Sequence, residues 1–160
     1  TAVPVPPFGV VGEYVPFYFA PRSPMLSAIH HGRVPTFTES EYDLVYLCTT
    51  VEHLESLGLT LTFSDRNAVL RVAEFRTQSE DWREDGFIDW PLMKERYWAD
   101  PDHPDWRERR MAEGLAFRHV PWEAILAIAT FDETRAAKVS SMLEPHSHRP
   151  KLLVRPRWYF

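Results

Sequence analysis

The chain has 160 residues, 44% of them hydrophobic and 26% charged, enough apolar material for one domain with its own core and too much for a disordered tail. Its formal charge of -5 excludes a protein that coats polyanions, because sequence-independent nucleic-acid binding runs on excess Lys and Arg, so any nucleic-acid contact is expected to be local and short. No stretch approaches about eighteen apolar residues and no charged-then-apolar leader opens the chain, so neither a membrane span nor a secretory signal is expected; the single cysteine, Cys48, excludes an intramolecular disulfide and fits a reducing, cytoplasmic setting.

Half of the prolines lie before residue 36, where they forbid a continuous helix. The first third is therefore expected to be extended or looped backbone laid across a scaffold supplied by the rest. Leu44-Val45-Tyr46-Leu47-Cys48 is a short run of strand-favouring types and predicts a buried strand. Thr49-Thr50-Val51-Glu52 is a capping pattern that opens a short helix, with Val51, Leu54 and Leu57 as its buried stripe and Gly58 as its stop. Leu59-Thr60-Leu61-Thr62-Phe63 alternates like a half-buried strand and leads into a turn at Ser64-Asp65-Arg66-Asn67. From Ala68 to Phe75 the pattern reads equally as helix or strand.

Between Glu80 and Arg110 the chain carries ten acids and six bases together with Trp82, Phe87, Trp90, Tyr97, Trp98 and Trp106, a surface excursion too aromatic for a disordered spacer. Glu113 to Arg118 predicts a strand, Pro121 to Ala124 a one-turn helix start, and Ile125 to Phe131 a central strand. Asp132 caps a helix through Leu143 with Ala136, Val139 and Leu143 on one face, and Lys151 to Val154 forms a last strand. The sum is an α+β domain without internal repeat, P-loop, GxGxxG or CxxC.

Two places stand out chemically. In residues 12–26 four aromatics, Tyr14, Phe17, Tyr18 and Phe19, lead to Arg22, which is fenced by Pro21 and Pro24. Aromatic faces suit planar rings, a rigid guanidinium suits phosphate or carboxylate, and prolines reduce the entropy lost on binding. The same residues serve equally well as core aromatics with a structural arginine. Glu113 sits where the charged excursion re-enters an apolar strand: either it faces a cleft, or it is an exposed strand-end carboxylate paired with Arg109 or Arg110. His30-His31 and His146-Ser147-His148 lack a Cys or acid cluster at ligand spacing, so no metal is expected. His119 reads as a structural histidine and Cys48 as a buried small residue. Asp65 and Asn67 either shape a turn or support a neighbouring site.

The run Val-Gly-Glu-Tyr-Val-Pro-Phe-Tyr-Phe-Ala-Pro-Arg-Ser-Pro-Met-Leu at 11–26 resembles the hallmark segment of the DarT-type DNA ADP-ribosyltransferase toxins. Leu44-Val45-Tyr46-Leu47, Phe63-Ser64-Asp65-Arg66-Asn67-Ala68, Ile88-Asp89-Trp90, Arg109-Arg110-Met111-Ala112-Glu113, Arg118-His119-Val120-Pro121-Trp122 and Trp158-Tyr159-Phe160 are similar to that family in order, so the resemblance covers nearly the whole chain. It implies that residues 1–160 form a single ADP-ribosyltransferase domain, two small packed β-sheets with flanking helices around an NAD cleft. It further implies transfer of ADP-ribose from NAD, the substrate, to a thymine in single-stranded DNA within a short sequence context, by a toxin that blocks DNA replication. A DarG-type antitoxin macrodomain protein is the implied partner. Arg22 falls on the family's catalytic arginine and Glu113 on its catalytic glutamate, and Tyr14, Phe17, Tyr18, Arg22 and Met25 fall in its NAD-binding element.

The wider segment from about Val72 to Ala112, which contains the excursion, matches the family's loop that presents the target nucleotide. Single strands are held by stacking on aromatics with a few cations, and Trp90, Tyr97, Trp98, Trp106, Arg107, Arg109 and Arg110 supply both. Pinning the excursion to the body is the other use for these tryptophans. Family members also carry an upstream His-x-Thr segment that grips the nicotinamide end of NAD, and this sequence, starting downstream of it, is expected to lack that segment. The alternatives are a guanine-directed or RNA-directed transferase of the same fold, and a truncated form that only binds single-stranded DNA or the antitoxin.

Overall fold

The computed structural model describes residues 1–84 and 86–160; Asp85, one of the ten acids of the excursion, lies outside the described residues. Along the chain run strands β1 (Tyr14–Tyr18), β2 (Tyr46–Cys48), β3 (Leu61–Ser64), β4 (Phe75–Thr77), β5 (Glu113–Phe117), β6 (Ala127–Thr130) and β7 (Lys151–Val154). The helices are α1 (Pro24–His30), α2 (Val51–Ser56), α3 (Trp90–Lys94), α4 (Trp106–Arg109) and α5 (Glu133–Leu143). The fold is mixed α+β, two sheets with flanking helices, as expected. The contacts divide it into two compact units, Thr1–Pro24 with Gly58–Val120, and Met25–Leu57 with Pro121–Phe160.

The first unit is built on an antiparallel sheet of order β1-β5-β3-β4. Its inner strands β3 and β5 are covered on both faces. Leu61, Thr62, Phe63 and Ser64 are therefore all buried, where alternation had predicted a half-buried strand. On one face Tyr14 and Leu115 pack with Val3 and Ala68, and Val5, Val11, Phe75 and Phe117 close around them. Register places Phe63 opposite Gly114, one step from Leu115, so Phe63 points to the other face. There it stacks on Trp82 at 3.8 Å between centroids, with Phe19 5.7 Å from Trp82 and 5.4 Å from Trp90. The excursion is thus fastened to the sheet by its own tryptophans, and each buried aromatic pair adds about 0.5–1.5 kcal/mol beyond its area.

The first third is not wholly looped. It contains β1 and opens α1. Pro16 is tolerated because β1 is an edge strand, and Pro24 sits at the first helical position, where its missing N–H has no helical partner to lose.

In the second unit the sheet order is β2-β6-β7, with β2 antiparallel and β7 parallel to β6. The parallel pair needs a crossover, which α5 supplies. Asp132 caps α5 by accepting from the Arg135 amide at 2.9 Å, and Ala136 and Leu143 are buried with Val139 half-buried, as the sequence predicted. The buried strand expected over 44–48 is shorter and less covered. Only Tyr46–Cys48 pair, and at the sheet edge Leu47 is 48% exposed and Cys48 half-buried. In α2 Thr50 caps the His53 amide and Leu54 is buried, but Leu57 lies past the last turn and is exposed. Among the described residues no helix is long and apolar enough to cross a membrane.

Candidate active site

Glu113 opens β5, the strand flanked by β1 and β3, and register sets it opposite Tyr18 on one side and Ser64 on the other. Directly opposed residues share a face of the sheet, so the carboxylate and the Tyr18 ring are neighbours on the face that also carries the Tyr14–Leu115 core. Glu113 is buried, and one of its oxygens accepts from the Ala68 backbone amide at 3.0 Å. An exposed glutamate paired with Arg109 or Arg110 is therefore not what the chain builds. Burial pushes the Glu113 carboxyl above its ordinary 4.5, and the Ala68 amide, which favours the charged form, partly opposes that shift. The Tyr18 hydroxyl is pushed up to about 12, first by burial and then by the Glu113 charge, so it stays a neutral phenol throughout the working range.

The amide that holds Glu113 is placed by the turn after β3. Ser64 Oγ donates to the Arg66 carbonyl at 2.7 Å. The buried Asp65 carboxylate accepts from the Glu74 amide at 2.8 Å through Oδ1 and from Arg66 Nε at 2.9 Å through Oδ2. Asn67 closes the turn by accepting from the Val69 amide, and its own amide donates to the Glu108 carbonyl at 3.1 Å. Ala68 was beyond the reach of sequence reasoning because it acts through its backbone. The residues around it, Asp65 and Asn67, were the available signal. Asp65→Ala removes the buried acceptor of the Glu74 amide and of Arg66 Nε and is expected to lower stability by about 0.5–3 kcal/mol in urea unfolding, with turnover falling as well because the Ala68 amide loses its support. Unchanged stability and turnover in that variant rule out this account of the turn.

Arg22 lies just after β1 and has a left-handed backbone, with φ 57. It is 4% exposed. Its Nε donates to the Arg96 carbonyl at 3.3 Å, and the Trp98 indole donates to the Arg22 carbonyl at 2.8 Å. Arg110 donates to the Pro21 carbonyl at 2.7 Å and, with another guanidinium nitrogen, to the Leu92 carbonyl. The Arg22 guanidinium also lies 5.7 Å from the centre of the Tyr97 ring, a cation–π distance. A fixed positive charge beside an open aromatic face is the result, since Tyr97 is 73% exposed.

The structure distributes the other expected site residues unevenly. Phe17 is half-buried opposite Gly114, and Met25, at 54% exposure, belongs to the second unit. Tyr14 is a core residue whose hydroxyl donates to the Phe8 carbonyl at 2.6 Å. Trp98 and Arg110, expected on the DNA side, lie inside the first unit instead, because their donors are committed to backbone carbonyls. Trp90 packs edge-on against Phe19 and donates to the Arg83 carbonyl. Trp106 is half-buried and stacked on His103 at 4.3 Å, and Arg107 is exposed. Arg109 donates to the Gly86 carbonyl at 3.0 Å and faces Asp89 at 3.5 Å. His119, expected to be structural, is exposed; His30 pairs with Glu41 at 2.9 Å, and His148 with the Ile125 carbonyl at 2.8 Å. Among the described residues no group of three or more His, Cys, Asp or Glu side chains could hold a metal ion.

A buried carboxylate held by an amide, next to a neutral phenol, can favour positive charge developing beside it, and a fixed guanidinium can hold an anion. The whole chain, residues 1–160, matches the family described as ssDNA thymidine ADP-ribosyltransferase, DarT. A DNA ADP-ribosyl transferase of Thermus sp. (strain 2.9) is 37% identical over 160 residues, which is 99% of this chain and 74% of that protein. One of Escherichia coli O127:H6 is 30% identical over 159 residues, covering 72% of its length. The structure of Thermus sp. 2.9 DarT in complex with ADP-ribosylated ssDNA superposes with a TM-score of 0.90 at 36% identity, over 99% of this chain and 74% of that one. With the sheets, helices and full-length match in agreement, this chain belongs to the DarT family of DNA ADP-ribosyltransferases.

Proposed function

We propose that this protein transfers ADP-ribose from NAD to a thymine base of single-stranded DNA within a short sequence context, acting in the cytoplasm as a toxin that blocks DNA replication. A DarG-type macrodomain antitoxin that removes the mark is the proposed partner. The observation that carries the catalytic reading is the buried Glu113 carboxylate, fixed by the Ala68 amide between Tyr18 and Ser64. Support for the substrates comes from the Thermus sp. 2.9 relative, whose DarT has been solved with NAD+, with carba-NAD+ and with ADP-ribosylated ssDNA.

In the reaction the bond from the ribose anomeric carbon to nicotinamide breaks, its electron pair leaves with nicotinamide, and positive charge develops on the ribose. A carboxylate at that face lowers the transition state more than the ground state. Glu113 supplies this charge and holds a ribose hydroxyl, as carboxylates do in glycosyl transfer. The thymine ring nitrogen then bonds to the anomeric carbon as its proton passes to solvent water. Arg22 remains protonated, since a guanidinium keeps its proton throughout the working pH range, and it acts as a clamp on the phosphates or on the deprotonated ring. Of the expected DNA-binding aromatics, Tyr97 offers the exposed ring best suited to stack a base beside Arg22.

The test is intact mass of single-stranded oligonucleotides incubated with NAD and the protein. One added ADP-ribose on a thymine-containing strand, with none on guanine-only DNA or on RNA, is the expected result. Adducts only on guanine or RNA refute the acceptor, and no adduct on any strand refutes the transferase reading of this chain.

A further inference from the structure

We propose that Trp98 and Arg110 are positioning residues that lock Arg22 in its left-handed conformation and so tie its guanidinium to the charged segment 92–110. A residue with a Cβ holds a positive φ only where its surroundings over-determine it. At Arg22 they do. Its carbonyl and that of Pro21 are held by the Trp98 indole and by one arm of Arg110, and its own Nε is held by the Arg96 carbonyl, contacts that span 76, 89 and 74 residues of sequence. The second arm of Arg110 grips the Leu92 carbonyl in α3, so one buried side chain joins the Arg22 turn to the segment that returns to it. A planar guanidinium serves two carbonyls in fixed directions, which an ammonium does not. Docking of that segment and the aim of Arg22 are therefore one event, and the arginine has its working direction only when residues 92–98 are seated.

The inference rests on the catalytic role proposed for Arg22, and two readouts keep the two apart. Trp98→Phe keeps an aromatic ring at this buried position but removes the N–H together with the five-membered ring of the indole, so its effect is read against the Arg22→Lys background and the Arg22 Nε–H signal. It is expected to lower kcat about 10-fold to 10²-fold through misplacement of Arg22, with KM for NAD little changed. In an Arg22→Lys background the same change is expected to alter kcat less than about twofold, because residues acting through one another are not additive. The second readout is the Arg22 Nε–H signal in proton–nitrogen NMR, assigned by its loss in Arg22→Lys; it is expected in slow exchange in the wild type and in fast exchange in Trp98→Phe. An unchanged Nε–H signal overturns the lock, as does a Trp98→Phe effect of equal size in both backgrounds. Wild-type turnover by Arg22→Lys overturns the catalytic role of Arg22 instead, and the Nε–H signal still reports on the lock. A parallel Arg110→Lys variant is expected to lose the slow-exchanging wild-type signal; full retention of signal and turnover in it also overturns the proposal.

Discussion

Glu113→Gln is expected to lower kcat by about 10²–10³-fold, the usual scale for removing one preorganised electrostatic group at a site of developing charge. Glutamine keeps the shape and can still accept from the Ala68 amide, so the variant removes charge and little else. Affinity for NAD, measured by titration without DNA, is expected to change far less than kcat, since the charge it stabilises exists only in the transition state. Lost affinity with kcat unchanged would instead place Glu113 in ground-state binding. The two pH consequences run in opposite senses. Activity needs the carboxylate, and burial lifts its folded-state pKa above 4.5, so the acid limb of kcat/KM against pH, which reports the free enzyme, is expected above that value. Stability follows the proton count. Between the ordinary value and the raised one the folded chain binds more protons than the unfolded chain, so this group's contribution is complete below 4.5 and is lost as pH rises through the folded value. Near neutrality the wild type therefore carries a buried charge that Glu113→Gln lacks, and the variant is expected to be the more stable of the two in urea, with the gap closing in acid. A less stable variant at neutral pH contradicts the burial argument.

Arg22 allows activity and backbone strain to be separated. Arg22→Ala and Arg22→Gly both remove the guanidinium and are each expected to lose about 10²-fold or more in kcat. They are expected to differ in stability. At φ 57 alanine retains the clash of Cβ with the following carbonyl, whereas glycine has none, so Arg22→Gly should be the more stable by about 1–2 kcal/mol. Equal urea midpoints would mean that the surroundings relax around alanine and that the left-handed turn stores no strain. Turnover surviving in either variant removes Arg22 from the chemistry.

Much of the second unit was legible along the chain. The Asp132 cap, the α5 face carried by Ala136 and Leu143, and strands β6 and β7 rest on signals within a few residues of one another, namely a capping oxygen, a helical period and short apolar runs. The first unit was less legible. Leu61–Ser64 looks half-buried in isolation and becomes fully buried only because β3 ends up between β5 and β4 under the aromatics of the excursion. Leu44–Cys48 looks buried and ends at an edge. Strand order decides both, and strand order is a long-range property.

The same division runs through the candidate site. Residue types and their order already singled out Arg22 and Glu113, and the family resemblance chose between the open readings, because the identity of a charged side chain and its neighbours is written locally. What surrounds these two groups was settled by folding. The Ala68 amide reaches Glu113 across 45 residues, and Trp98 and Arg110, which as an aromatic and a cation look made for nucleic acid, turn inward to the carbonyls of Arg22 and Pro21. A backbone donor has no residue type to betray it, and an Arg or Trp exposed to solvent is chemically identical in sequence to one that is buried. The two charged residues of the candidate site could thus be proposed from the chain, while their burial, and with it the raised carboxyl of Glu113 and the left-handed backbone of Arg22, came from contacts between segments far apart in sequence.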